Sequence, residues 1–253
     1  IKSGENEKDY QAIWVNGAGT NLSLQQFNNG KMYMYDNING TDGYGVNIQG
    51  DGSGTLYLYN DIKNANVTVD NTTINTANGE IHTYNFNSFH IASNFNFVPD
   101  VDLVNETMDR ITSENVTAAD GAKLNVSKLN LLNDAKKDVT KITFADSNLA
   151  NHVEYTGEKF VSYSPIYKYE TSYNVEEDDD GNPLGRFTFL RSSSSNGNPS
   201  EAFNPAVLSS PVATTSGVYT TQLQTFNESF GHSDNYMAMT NSERIAYKHA
   251  NKY

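Results

Sequence analysis

Three phrases set the hydrophobic pattern of the chain: "GKMYMYDN" at 30–37, "GTLYLYND" at 54–61 and "GEIHTYNF" at 79–86. Each opens on glycine and then alternates side-chain character, at spacings of 24 (54 − 30) and 25 (79 − 54) residues. Alternation with period two predicts β-strands, because successive side chains leave a strand on opposite sides. Met32/Met34, Leu56/Leu58 and Ile81/Thr83 then share one face, and Tyr33/Tyr35, Tyr57/Tyr59 and His82/Tyr84 share the other.

Between these phrases lie shorter alternations, "YGVNIQG" at 44–50, "ANVTVD" at 65–70 and "FHIASN" at 89–94, separated by clusters of Asn, Asp, Gly and Ser. Those clusters are turn chemistry. One repeat thus holds two or three strands and no helix. A period of roughly 20–30 residues built this way predicts a β-solenoid, whose equivalent strands stack about 4.8 Å apart into parallel sheets. A β-sandwich gives turn signals at similar intervals; the recurring phrase favours the solenoid, since each coil revisits the same sheet.

Past residue 100 the repeat loosens. "DLVNETMDRITSEN" at 102–115 fits a short helix or an irregular coil, and "GAKLNVSKLNLL" at 121–132 and "TKITFADSNL" at 140–149 resume the strand pattern. The solenoid is expected to run through about residue 156. "YSPIYKYETSYNV" and "GRFTFLRSS" then flank the acidic turn "EEDDDGNPLG" at 176–185, which predicts a β-hairpin covering the open end of the last coil. From Ser209 the grammar is helical: Pro211 suits a first helical position, Val212, Tyr219, Leu223, Phe226 and Phe230 fall at helical spacing, and Thr240 with Glu243 forms a capping box before "RIAYKHANKY". The expected architecture is all-β: a parallel β-solenoid (β-helix) over 1–156, a C-terminal β-hairpin cap over 157–195, and a linker with a short helical tail over 196–253.

Composition narrows the chemistry. Only 37% of the 253 residues are hydrophobic, yet 11% are aromatic, 16 of them Tyr, and 19% are charged. Disorder would need fewer aromatics and more charge. A net charge of −13 argues against binding nucleic acid or an anionic membrane, which takes clustered Lys and Arg. The chain has no Cys, which excludes disulfides, thiolate zinc sites and thiol nucleophiles. No apolar run approaches the ~20 residues of a membrane-spanning helix, and "IKSGENEKDY" is not a signal peptide, so an exported form is expected to be a mature fragment.

Catalytic and metal motifs are sparse. The five His, at 82, 90, 152, 232 and 249, include no pair at metal-ligand spacing, and read as structural. "GAGT" at 17–20 lacks the context of a dinucleotide site, and neither a GxSxG nor a Walker motif occurs. Glu176, Asp178 and Asp180 before Gly181 resemble the opening of a calcium loop, but the twelfth position is Phe187 where a bidentate Glu is needed, so the stretch reads as a solvated acidic turn. Eight Asn-x-Ser/Thr sequons are what the Asn, Ser and Thr content generates unaided. No cofactor is implied.

The run "LNVSKLNLLNDAKKDVTKITFADSNL", then "SYSPIYKYETSYNV", "GRFTFLR", "FNPAVLSSPVATTSGVYTTQLQTFNESFGHSDNYMAM" and "ERIAYKHANKY", resembles the C-terminal part of passenger domains in bacterial autotransporter-like (type V secreted) surface proteins. The resemblance covers roughly residues 105–253 and includes no catalytic motif. In that family such a region lies between a β-helical passenger and an outer-membrane β-barrel. No series of about ten-residue lipid-facing strands is present here, so membrane attachment would come only through a barrel outside this chain.

These readings converge on a non-enzymatic, secreted β-solenoid of the bacterial cell surface, an adhesin presenting a rigid face to a host or neighbouring-cell glycan or protein. The candidate ligand face is the column pair Tyr33/Tyr57/His82 and Tyr35/Tyr59/Tyr84, flat rings with hydroxyl tips of the kind enriched at binding surfaces. The same rings would serve equally as scaffold, stacked for stability or packed under another segment. Two other functions stay open: a β-helical carbohydrate-active enzyme, if Asp and Glu converge on one sheet face, and an extracellular fibre self-associating through solenoid ends.

Overall fold

The computed structural model describes residues 11–17, 19–157, 161–193 and 199–208. The chain is a parallel β-solenoid closed by an antiparallel sheet. Each coil visits three faces in turn. The long face stacks Asn21–Gln26, Tyr44–Gly50, Ala65–Asp70, Ser88–Ile91 and Val116–Ala118. The second stacks Lys31–Met34, Thr55–Leu58, Thr73–Asn75, Phe95–Val98, Leu124–Val126 and Val153–Tyr155. The third is broken into short pieces, Gln11–Val15 beside Asn37–Gly40 and Thr83–Phe86 beside Arg110–Ser113.

Alternation decides which side chains enter the core. On the long face Leu22, Val46, Val67, Phe89 and Val116 form one inward column, and Leu24, Ile48, Val69, Ile91 and Ala118 another. Ser23, Asn47, Thr68, His90 and Thr117 alternate with them on the outside, His90 Nδ1 lying 2.8 Å from Thr117 Oγ1. The strands expected at 44–50, 65–70 and 89–94 are therefore neighbours in one sheet. In-register stacking of identical strand phases keeps every coil's apolar set on the same side.

The second face corrects the alignment of the opening phrases. Met32 pairs with Leu56, but Leu56 pairs with Ile74, and the column continues through Phe97, Val126 and Tyr155. Ile81 lies outside any strand and is partly exposed. The third copy of the strand is "TIN" at 73–75, 18 residues on (74 − 56), and "GEIHTYNF" instead leads into the third face. The glycines differ accordingly. A Cβ on Gly54 would stand 2.3 Å from the Gln26 carbonyl oxygen, so this corner admits only glycine, whereas Gly79 meets nothing and takes φ +92 in a turn.

Residues 102–115 are also strand and turn, with no helix. Asp100–Asp102 pairs antiparallel with Thr107–Met108, Glu106 turning the chain at φ +57, and Arg110–Ser113 rejoins the solenoid. The last solenoid strand ends at Tyr155, but Val139–Ala145 is diverted from the stack into the cap. The cap orders Val139–Ala145, Pro183–Arg191, Lys168–Glu177 and Val161–Tyr163 antiparallel. Its inner face carries Phe144, Phe187, Phe189 and Tyr169, all fully buried. Phe144 meets Phe97 of the solenoid core at 5.9 Å between ring centroids, and Phe187 meets Tyr155 at 5.2 Å. The hairpin turn is self-contained: the Asp178 carboxylate accepts hydrogen bonds from the backbone N–H groups of Asp180 and Asn182, and Glu176 pairs with Lys141 and Arg186.

The chain divides into compact units after Ser192. In the second unit the described residues form two four-residue helices, Pro199–Ala202 and Pro205–Leu208, the latter preceded by Asn204, whose Oδ1 accepts from the Ala206 N–H. The helical tail expected from Ser209 onward lies outside the described residues.

Candidate functional site

Four of the six aromatic residues singled out from the sequence meet on the outer side of the second face. The strands Lys31–Met34 and Thr55–Leu58 are parallel and in register, so Tyr33 sits opposite Tyr57 and the following residues, Tyr35 and Tyr59, leave on the same side. The Tyr33 and Tyr57 rings are 4.4 Å apart and 8° from parallel. Tyr35 and Tyr59 are 5.4 Å apart and tilted by 55°. Along the strands the ring spacings are 6.3 Å and 6.1 Å. The result is a two-by-two array of phenols, with Tyr33 and Tyr35 exposed at 38% and 47% and Tyr57 and Tyr59 half-buried. Partial burial raises the Tyr59 pKa, with the neighbouring phenols adding to the effect. The array ends after two coils because Asn75 follows Tyr57 in its column.

His82 and Tyr84 do not extend it. The chain has left this face by residue 76, and Tyr84 points into the core at 1% exposure, its hydroxyl donating to the Leu58 carbonyl at 3.0 Å. Burial pushes its pKa far up. His82 stands at the root of the 76–82 loop, its ring 6.0 Å from Tyr84 and its backbone N–H donating to Asp109 Oδ1 at 2.7 Å. The two columns expected over three repeats thus hold two residues each.

Two polar constellations escaped the sequence. Asp100 and Asp109 are both fully buried beneath the 76–82 loop. Asp109 Oδ2 accepts from the Thr76 hydroxyl at 2.6 Å and the Asp100 N–H at 2.9 Å, while Asp100 Oδ2 accepts from the N–H groups of Asn78 and Gly79 at 2.7 and 2.6 Å. Burial pushes the Asp109 carboxyl up to about 6, against the lowering effect of those hydrogen bonds. With every oxygen occupied by its own chain, the pair is a fastening for the loop. No spacing rule announces it.

The second constellation is an open polar groove of about 590 Å³ on the third face, lined by Asp42, Asn85, Asn87, Thr112, Glu114 and Asp146 among others. Asn87 donates to Asp42, Thr112 to Asn85, and Asn148 to the Ser113 carbonyl. It gathers carboxylates from three separate stretches of chain, which a linear reading cannot bring together. Among the described residues no group of three or more His, Asp or Glu is placed to hold a metal ion.

No protein-family model matches the chain, and no curated protein or solved structure matches it.

Proposed function

We propose that the chain is the passenger part of an exported, autotransporter-like bacterial surface protein, acting as an adhesin that presents the rigid second face of its solenoid to a glycan or protein on another surface. One observation carries this reading: the exposed tyrosine array, held in register by two parallel strands. Rings fixed by the sheet lose little freedom on binding, and each combines apolar area with a hydroxyl that hydrogen-bonds a sugar or a peptide. The phrase-level resemblance of residues 105–253 to passenger C-termini supports the exported setting, and the net charge of −13 fits a partner other than a polyanion. The test is a glycan and matrix-protein array probed with the parent and with the double substitution Tyr57→Ala, Tyr59→Ala. Specific binding lost in the variant supports the reading, and equal binding, or none by either protein, overturns it.

The groove favours a second reading, a carbohydrate-active enzyme on the same scaffold. Hydroxyl-rich substrates suit its amides and carboxylates, and Glu114 and Asp146 would be the acid and base candidates. Release of reducing ends from a polysaccharide panel, lost in Glu114→Gln, would move the assignment from adhesin to enzyme.

A further inference from the structure

A chain without cysteine cannot staple its coils with disulfides, yet the solenoid holds a different oxidisable pair across neighbouring coils. Tyr33 and Tyr57 occupy paired positions on adjacent parallel strands, 4.4 Å between ring centroids and 8° from parallel. Tyr33 is 38% exposed, so a solvent-borne oxidant reaches it. The register of the two parallel strands holds the rings together before any reaction, which converts an encounter between two phenols into an intramolecular event. Tyr35 and Tyr59 are wider apart and tilted by 55°, while Tyr44, Tyr84 and Tyr169 are buried in the core.

We propose that Tyr33 and Tyr57 form an oxidative cross-linking site, coupled to an intramolecular dityrosine by a haem peroxidase with hydrogen peroxide. Each phenol gives up one electron and its hydroxyl proton, becoming a phenoxyl radical. One hydrogen peroxide takes up the two electrons and two protons and leaves as two waters. The radicals join through the ring carbons ortho to oxygen, Cε of each residue, forming one C–C bond. The hydrogen on each joined carbon then moves to the phenolic oxygen and restores both aromatic rings, so the product lacks two hydrogen atoms relative to the parent. The stacked rings slip and turn about their side-chain bonds to bring the two Cε atoms together, a movement open to side chains on the outer side of a sheet. The bond ties two successive coils covalently and restricts the unfolded chain as a disulfide closing the same loop would. This chemistry is independent of what, if anything, the tyrosine face binds.

The test treats the full chain, at low protein concentration, with a haem peroxidase and hydrogen peroxide. Dityrosine fluorescence is expected on the monomer, appearing at a rate per chain that does not change with protein concentration. Peptide mapping is expected to join the peptide of Tyr33 to that of Tyr57, at the summed mass less two hydrogens. Tyr33→Phe and Tyr57→Phe, which keep the stacked ring, each remove that linked peptide and reduce the monomer's fluorescence to background, while Tyr35→Phe leaves both in place. Circular dichroism confirms that the variants fold. A monomer that stays uncoupled, a principal link between other tyrosines, coupling that accelerates with protein concentration, or a Tyr33→Phe variant as fluorescent as the parent would each overturn the proposal.

Discussion

Leu56 is stacked against Ile74 on the next parallel strand, the two being 0% and 3% exposed, while Ile81, its counterpart in the repeated phrase, lies off the stack. The core column is therefore testable by contrast. Leu56→Ala is expected to cost about 2–5 kcal/mol through lost transfer energy and the cavity left behind, and Leu56→Asp to abolish cooperative folding by burying an unpaired carboxylate. Ile81→Asp is expected to fold. Urea titrations of the three variants followed by circular dichroism decide it, and equal damage from Ile81→Asp would contradict the register.

The outer array predicts a separation of binding from stability. Tyr57→Ala with Tyr59→Ala removes half-buried rings whose stacking is worth about 0.5–1.5 kcal/mol per aromatic pair, so the unfolding midpoint shifts modestly. Retained ligand on the array is expected to fall far more. A variant that loses both together would mark the face as scaffold.

Asp109 gives the fold a pH signature. Its folded pKa of about 6 lies above the ordinary 3.8, so the folded chain binds this proton more tightly than the unfolded one. The contribution is fully present below 3.8 and is lost as pH rises through about 6. Asp51, Asp102, Glu176 and Asp178 have lowered values and act in the opposite sense, so the useful quantity is the difference between the parent and Asp109→Ala. That variant leaves the Thr76 hydroxyl and the N–H groups of His82 and Asp100 without their acceptor, at about 1–3 kcal/mol for each orphaned group. Its deficit relative to the parent is expected to be larger at pH 4.5 than at pH 7.5, as read from denaturation midpoints; a deficit that grows with pH would refute the assignment.

The corner between the first two faces makes a sharper steric case. Gly54→Ala forces a methyl group to 2.3 Å from the Gln26 carbonyl oxygen, and the backbone shift needed to relieve it is expected to cost about 1–3 kcal/mol. Gly79→Ala meets no neighbour, so it suffers only from its positive φ. Thermal unfolding of the pair ranks the two causes.

Removing the cap's central ring tests what the antiparallel sheet protects. Phe187 touches Phe144, Tyr155, Tyr173 and Phe189. Phe187→Ala is expected to cost about 3–5 kcal/mol and, by loosening the cover over the last coil, to increase self-association. Sedimentation velocity would detect the oligomers, and a strictly monomeric variant would show that the solenoid end is guarded by something else.

Much of this fold was legible because the solenoid writes its period into local alternation. The strands at 44–50, 65–70 and 89–91, the second-face strands around Tyr33 and Tyr57, and the hairpin about Asp178 all follow from patterns a few residues long. What failed was long-range register. "GEIHTYNF" carries the same local signal as its predecessors, but Asp100 and Asp109 hold residues 76–82 outside the coil, so the phrase resumes one face later and Tyr84 turns inward. The 102–115 stretch reads as either a short helix or an irregular coil because its apolar residues are spaced by turns and short strands, not by one period. The site divided likewise: four tyrosines follow from alternation within a strand, whereas the groove depends on Asp42, Glu114 and Asp146 meeting across coils.

The excursion at 76–82 also bears on how such a chain changes over generations. Ile48, Val69, Ile91 and Ala118 remain in consecutive register on the long face although the coils between them differ in length, at 21 (69 − 48), 22 (91 − 69) and 27 (118 − 91) residues. Growth at one corner leaves the adjoining sheet undisturbed, so insertions there escape selection for length while the columns stay under selection for shape. Homologous chains are then expected to differ in size mostly at this loop and to agree residue by residue along the long face.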